Sequence, residues 1–127
     1  MPNKTKLDDR WDVARQDIIE AARSAGVDVG IMVKISGFES GFNSSARPIS
    51  SHTAQNRVTQ FDGVMAISSA HGYGQFLNAT WHEMIVKYGE KYGVENAALL
   101  NKNEANEVEI RKNPLLQAAL LAEFTRE

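Results

Sequence analysis

The chain has 127 residues, 43% hydrophobic and 24% charged, which suits one soluble globular domain with a core of its own. Cysteine is absent, which excludes disulfides, thiolate nucleophiles and cysteine-ligated metal centres. Fourteen Lys and Arg against sixteen Asp and Glu leave a formal net charge of -2, with both signs scattered, so no nucleic-acid partner is expected.

Trp11, Ala14, Ile18, Ala22 and Ala25 recur every three or four residues and predict a first helix over 8–25, ended by Gly26. Asp28 reads as the N-cap of a shorter second helix, whose inward stripe is Ile31, Ile35, Phe38 and Phe42 until Gly41 and Asn43 break it. Glu39 follows Ile35 by one helical turn, so its carboxylate is expected beside an apolar surface. The helical pattern stops over 43–71. Within that stretch 56–61 and 64–68 flank Asp62-Gly63, a turn-forming dipeptide, and predict a small β-hairpin.

Helical order resumes near Asn78 or Thr80, where Thr80-x-x-Glu83 has the form of a capping box and Leu77, Trp81, Met84, Tyr88 and Tyr92 mark one face. Gly89 and Gly93 interrupt or end it, and the Asn-rich 101–106 reads as a connection. A short helix is expected over about 104–111, then a last one from Pro114 that carries Leu116, Leu120 and Phe124 inward. This last helix is still amphipathic at Glu127, so 1–127 reads as a single domain, of a kind that could be excised from a longer parent. No apolar run approaches the ~18 to 20 residues of a spanning helix, and 1–10 lacks the apolar stretch of a secretory leader.

Two segments concentrate polar groups among glycines and aromatics: Gly37-Phe38-Glu39-Ser40-Gly41-Phe42-Asn43 and Gly72-Tyr73-Gly74-Gln75-Phe76-Leu77-Asn78-Ala79-Thr80-Trp81. The first resembles the Glu-Ser-x-Phe motif of lytic transglycosylases and goose-type lysozymes. The second resembles the Gly-x-x-Gln-[Phe/Leu/Ile] motif of that superfamily, and Gly-Tyr-Gly-Gln-Phe is especially similar to the membrane-bound lytic transglycosylase B branch. A C-terminal run, Asn113-Pro114-x-x-Gln117-Ala118-x-x-x-Ala122-Glu123-Phe124, is similar to phage-borne members. Glu39 and Gln75 stand further apart in the chain than in the compact soluble transglycosylases, and the predicted hairpin fills the added length.

The resemblance implies a mainly α, lysozyme-like helical domain with a small β-hairpin at the cleft. It further implies cleavage of the β-1,4 bond between N-acetylmuramic acid and N-acetylglucosamine in bacterial peptidoglycan, with Glu39 as general acid and base and anhydro-muropeptides as products. Residue chemistry agrees: a leaving glycosidic oxygen needs a proton, and a carboxyl half-buried beside Ile35, Phe38 and Phe42 would be favoured in its protonated form. Carried over from the motifs, Ser40 would hydrogen-bond near the N-acetyl group, with helix-end bonding as its ordinary alternative. Gln75 would fix the sugar or the Glu39 carboxyl through its amide, and Tyr73 would stack on a sugar face, with core packing as its alternative. Trp81, Tyr88 and Tyr92 read as core. The family's late cleft aromatic stays unassigned among Tyr88, Tyr92 and Phe124.

Asp62 is explained by turn geometry; if it positions water instead, the protein is a hydrolytic muramidase of the goose-lysozyme kind. A third reading is a non-catalytic, glycan-binding structural domain of a phage tail. No cofactor or metal is expected, since His52, His71 and His82 have no ligand spacing, and Val86 stands where a His82-Glu83 zinc-protease pattern needs its second histidine. Asn78-Ala79-Thr80 matches a glycosylation sequon by chance. The expected setting is the cell wall, reached as part of a phage virion or by export, with the chain a monomer or one part of a larger virion or secretion assembly.

Overall fold

Capping chemistry sets the helix boundaries. In the computed structural model, which describes residues 5–49 and 58–127, Thr5 and Asp8 form a capping box that opens α1 (Lys6–Ala25), and Gly26 closes it at φ 72°. The Asp28 carboxylate accepts the Ile31 N–H at 3.1 Å and opens α2 (Val29–Ser40), which ends on Gly41 at φ 58°. Strands β1 (Val58–Thr59) and β2 (Met65–Ala66) pair antiparallel, with Val58 opposite Ala66 and Thr59 opposite Met65. Gly63, at φ 85°, supplies the left-handed turn residue expected of Asp62-Gly63. Residues 56 and 57 of the expected hairpin lie outside the described residues.

Helix α3 (Asn78–Tyr88) runs into a 3₁₀ turn (Gly89–Tyr92) closed by Gly93 at φ 91°, and a second 3₁₀ turn follows at Ala97–Leu99. Short helices α4 (Lys102–Ala105) and α5 (Val108–Arg111) lead to α6 (Pro114–Arg126), with Pro114 in its first turn and Asn113 as its cap. The fold is thus mainly helical with one small two-stranded sheet. Among the described residues no helix is long and apolar enough to cross a membrane.

The core centres on α6. Every residue from Leu116 to Glu123 is buried, so this helix is covered all round, whereas the sequence reads as one-sided. Its main partner is α1, through Ala14, Ile18, Ala21, Ala22 and Ala25; α2 and α3 also touch it. Small alanines on both helices allow close approach, and Met32, Trp81, Ile85 and Leu120 fill the remaining volume.

Only half of the stripe Ile31, Ile35, Phe38 and Phe42 faces inward: Ile35 and Phe42 pack partly buried against the core, whereas Ile31 is 47% and Phe38 89% exposed, and α2 buries Met32 and Ser36, flanked by Val29 and Val33. Helix α2 is apolar nearly all round, so periodicity leaves two faces competing, and the tertiary partners decide which is covered. Thr80 and Glu83 form no capping box; α3 starts earlier, and the Ser69 hydroxyl accepts the Asn78 N–H at 3.0 Å. Leu77 is exposed instead of joining the face of Trp81 and Met84. The Asn-rich stretch is helical in part, because Asn101 and Glu104 cap α4 reciprocally. Phe124, expected inward, is 49% exposed.

Candidate active site

A cleft of about 530 Å³ opens between the end of α2, the loop before α3 and the last turns of α6. Ile35 and Glu39 contribute from α2, Gly74 to Leu77 from the loop, and Leu121, Phe124 and Thr125 from α6, with Thr80 at the start of α3. Glu39 and Gln75, distant in the chain, therefore share one cleft. Among the described residues Glu39 is the one carboxylate in its lining. The burial expected for Glu39 is not present: it is an exposed residue at the rim, since Phe38 turns outward.

Phe42 shows why the chain turns where it does after Glu39. It adopts φ 62°, its ring pairs with Trp11 at 5.1 Å between centroids, and its tip sits against the position a Gly37 side chain would occupy. The motif phenylalanine thus clamps the helix end onto α1. Ser40 does not line the cleft; it is half-buried, and its hydroxyl donates to the Ser36 carbonyl at 2.9 Å. That is the ordinary helix-end bond.

The loop carrying Gln75 is fixed from below by Gln117 of α6. The Gln117 side-chain oxygen accepts the Tyr73 N–H at 2.9 Å, and its amide donates to the carbonyls of Ser44 and Arg111, both at 3.0 Å. Gly72, at φ 84°, has no room for a side chain, because a Cβ there would lie 2.3 Å from the Gln117 oxygen. A Cβ on Gly74 would meet Leu121 at 2.9 Å. The two glycines do clear space, and α6 fills it. Gln75 itself is at φ 52°, and its amide donates to the carbonyls of Ala46 at 2.8 Å and Gly72 at 2.9 Å.

Tyr73 is turned away from the cleft and is 2% exposed. Its hydroxyl bonds Asp17 and Ser44, and burial, with the Asp17 charge next, pushes the phenol up to about 12. It lines a different hollow, with Arg10 and Phe42. Tyr73 thus packs in the core and presents no ring to the cleft.

No protein-family model matches the chain, and no solved structure matches it. The site therefore stands on its own residues.

Asp62 is not in the cleft lining. It makes a two-pronged ion pair with Arg47, at 2.9 and 2.8 Å, lies 3.3 Å from the Lys112 ammonium, and accepts the Val64 N–H. The Arg47 guanidinium, opposed by burial, holds the carboxyl well below its usual range. Behind the hairpin, His71 packs edge-on against Phe61 at 4.8 Å between centroids. Burial first, then the charges of Arg111 and Arg47, lowers its imidazole to about 4. Arg111 is buried too, donating to the carbonyls of Ser69 and Phe76 and lying 4.8 Å from the Trp81 ring centroid; burial lowers it to about 10. His82 bonds the Leu100 carbonyl, and His52 lies outside the described residues.

Two contributors went unassigned in the sequence. Phe124 forms part of the cleft wall, its ring edge-on to Phe76 at 5.5 Å, while Trp81 is core and the Tyr88 and Tyr92 hydroxyls bond Glu127 and Glu123. Gln117 stood inside the C-terminal run without a role. The signal for it was the pair of glycines, which mark a close approach whose partner only the fold supplies.

Proposed function

We propose that the cleft binds a glycan strand of bacterial peptidoglycan and cleaves it by lytic transglycosylation, with Glu39 as acid and then base. The observation that carries this reading is that Glu39 and Gln75, one from each motif, face the same apolar-walled cleft. A strand lying along Ile35, Leu121 and Phe124 displaces the water that solvates a carboxylate, the condition a proton donor requires. Glu39 gives its proton to the glycosidic oxygen as the bond to the anomeric carbon breaks, and the muramic N-acetyl carbonyl oxygen bonds to that carbon. The Glu39 carboxylate then removes the proton of the C6 hydroxyl, whose oxygen displaces the carbonyl and closes the anhydro ring. Gln75 steadies the rim.

This course needs one carboxylate, and one is what the cleft lining offers among the described residues. Asp62, tied to Arg47 and Lys112, supports the transglycosylase over a hydrolase that activates water with a second acid. The test is release of soluble anhydro-muropeptides from purified peptidoglycan, with a loss on the order of 10²- to 10⁴-fold in rate on Glu39→Gln.

A further inference from the structure

Phe38 is 89% exposed, more than any other large hydrophobic residue described. A lone exposed apolar side chain needs no explanation, and Leu99 and Val13, nearly as exposed, stand apart from the cleft lining. Phe38 differs by position. Successive residues of a helix turn by about 100°, so from the buried face of α2 the surface passes through Glu39 and Ile35, which line the cleft, to Ile31 and then Phe38. The exposed stripe is the outward continuation of the cleft wall. Across the cleft, Phe124 and Leu77 are also about half exposed.

We propose that Phe38 is a stacking platform for a sugar unit of the same strand, outside the central cleft. The inference rests on the reading of the cleft as a glycan site and extends it. The C–H face of a β-linked pyranose is flat and apolar, its hydroxyls point sideways, and an exposed aromatic ring takes it without desolvating a polar group. Polar groups suited to hydroxyls and amides line the cleft itself, at Glu39, Gln75 and Thr80. An extended strand would thus meet a ring at Phe38, polar groups beside Glu39 and a second ring at Phe124.

The test uses the Glu39→Gln chain, which retains the surface without the acid, in co-sedimentation with purified peptidoglycan sacculi. Adding Phe38→Ala is expected to weaken binding roughly 5- to 20-fold, while Phe38→Trp restores it. Thermal midpoints should be unchanged, because the ring packs on little. Full binding by Phe38→Ala, or by Phe38→Leu, would overturn the platform while leaving the cleft reading intact. Failure of the Glu39→Gln chain itself to sediment with sacculi would overturn the cleft reading and the platform with it.

Discussion

Gln75 holds a backbone conformation that L-residues avoid at a cost of about 1 kcal/mol or more, at φ 52°, and two side-chain hydrogen bonds to Ala46 and Gly72 hold it there. Such strain at the rim of the cleft is consistent with a residue set for position instead of stability. Asp62 is the opposite case, a carboxylate whose partners are all structural. Asp62→Asn is therefore expected to cost about 1 to 3 kcal/mol in chemical denaturation, by weakening the pairing with Arg47 and Lys112. It should leave the identity of the cleavage products unchanged; mass spectrometry of the digest checks this, and loss of cleavage by a folded variant would return Asp62 to the chemistry. Much of this residue scale was legible. The turn role of Asp62 follows from Gly63 beside it, and the two motifs single out Glu39 and Gln75, which share one cleft; the exposure of Glu39 and the inward turn of Tyr73 were not legible, because neither a helix end nor a turn has a period that says which way a side chain points.

Most helix boundaries were legible from their caps, although the Thr80–Glu83 pattern caps nothing and the Asn101–Glu104 box stands in an expected connection; packing was illegible where apolar character surrounds a helix. Gly26, Asp28, Gly41 and Pro114 stand at helix boundaries as expected, since each has a local backbone reason. Helix α2 offered two apolar faces and α6 had no outer one, so their packing was decided by partners distant in the chain. Gln117 is the clearest such partner: one side chain joins α6, the loop of Gln75 and the segment after α2. Gln117→Ala leaves the buried Tyr73 N–H and the Arg111 carbonyl without it, an expected loss of about 2 to 4 kcal/mol by urea denaturation, with activity falling before the fold is lost. A variant of unchanged stability would show that the loop is held otherwise.

At the scale of the whole molecule, acid sensitivity divides by group. His71 has a folded imidazole at about 4 against an ordinary 6.5, so between those values the unfolded chain binds the extra proton. Its neutral form contributes stability that is fully present above about pH 6.5 and lost as the pH falls toward 4. Phe61, Arg111, Arg47, Lys112 and Asp62 surround the ring, and three of those five would repel an imidazolium. Asp62 and Glu123, both lowered, the latter against its burial by Lys91, Tyr92 and Arg126, contribute above the carboxylate range and lose this only at lower pH. The thermal midpoint is thus expected to begin falling near pH 6.5, and His71→Phe to flatten the profile down to about pH 4.5, within the window the imidazole sets. An unaltered slope in that variant would place the titration elsewhere. The mainly helical architecture was legible from periodicity, while the convergence of Glu39, Gln75 and Phe124 on one cleft needed the fold.

In the proposed reaction Glu39 cleaves glycan strands without handing the sugar to water. The decisive measurement is mass spectrometry of the soluble products from purified peptidoglycan, with the wild-type chain and Glu39→Gln side by side. Anhydro-muropeptides from the wild type and their absence from the variant are the predicted result; reducing-end muropeptides, or no wild-type products at all, would contradict it.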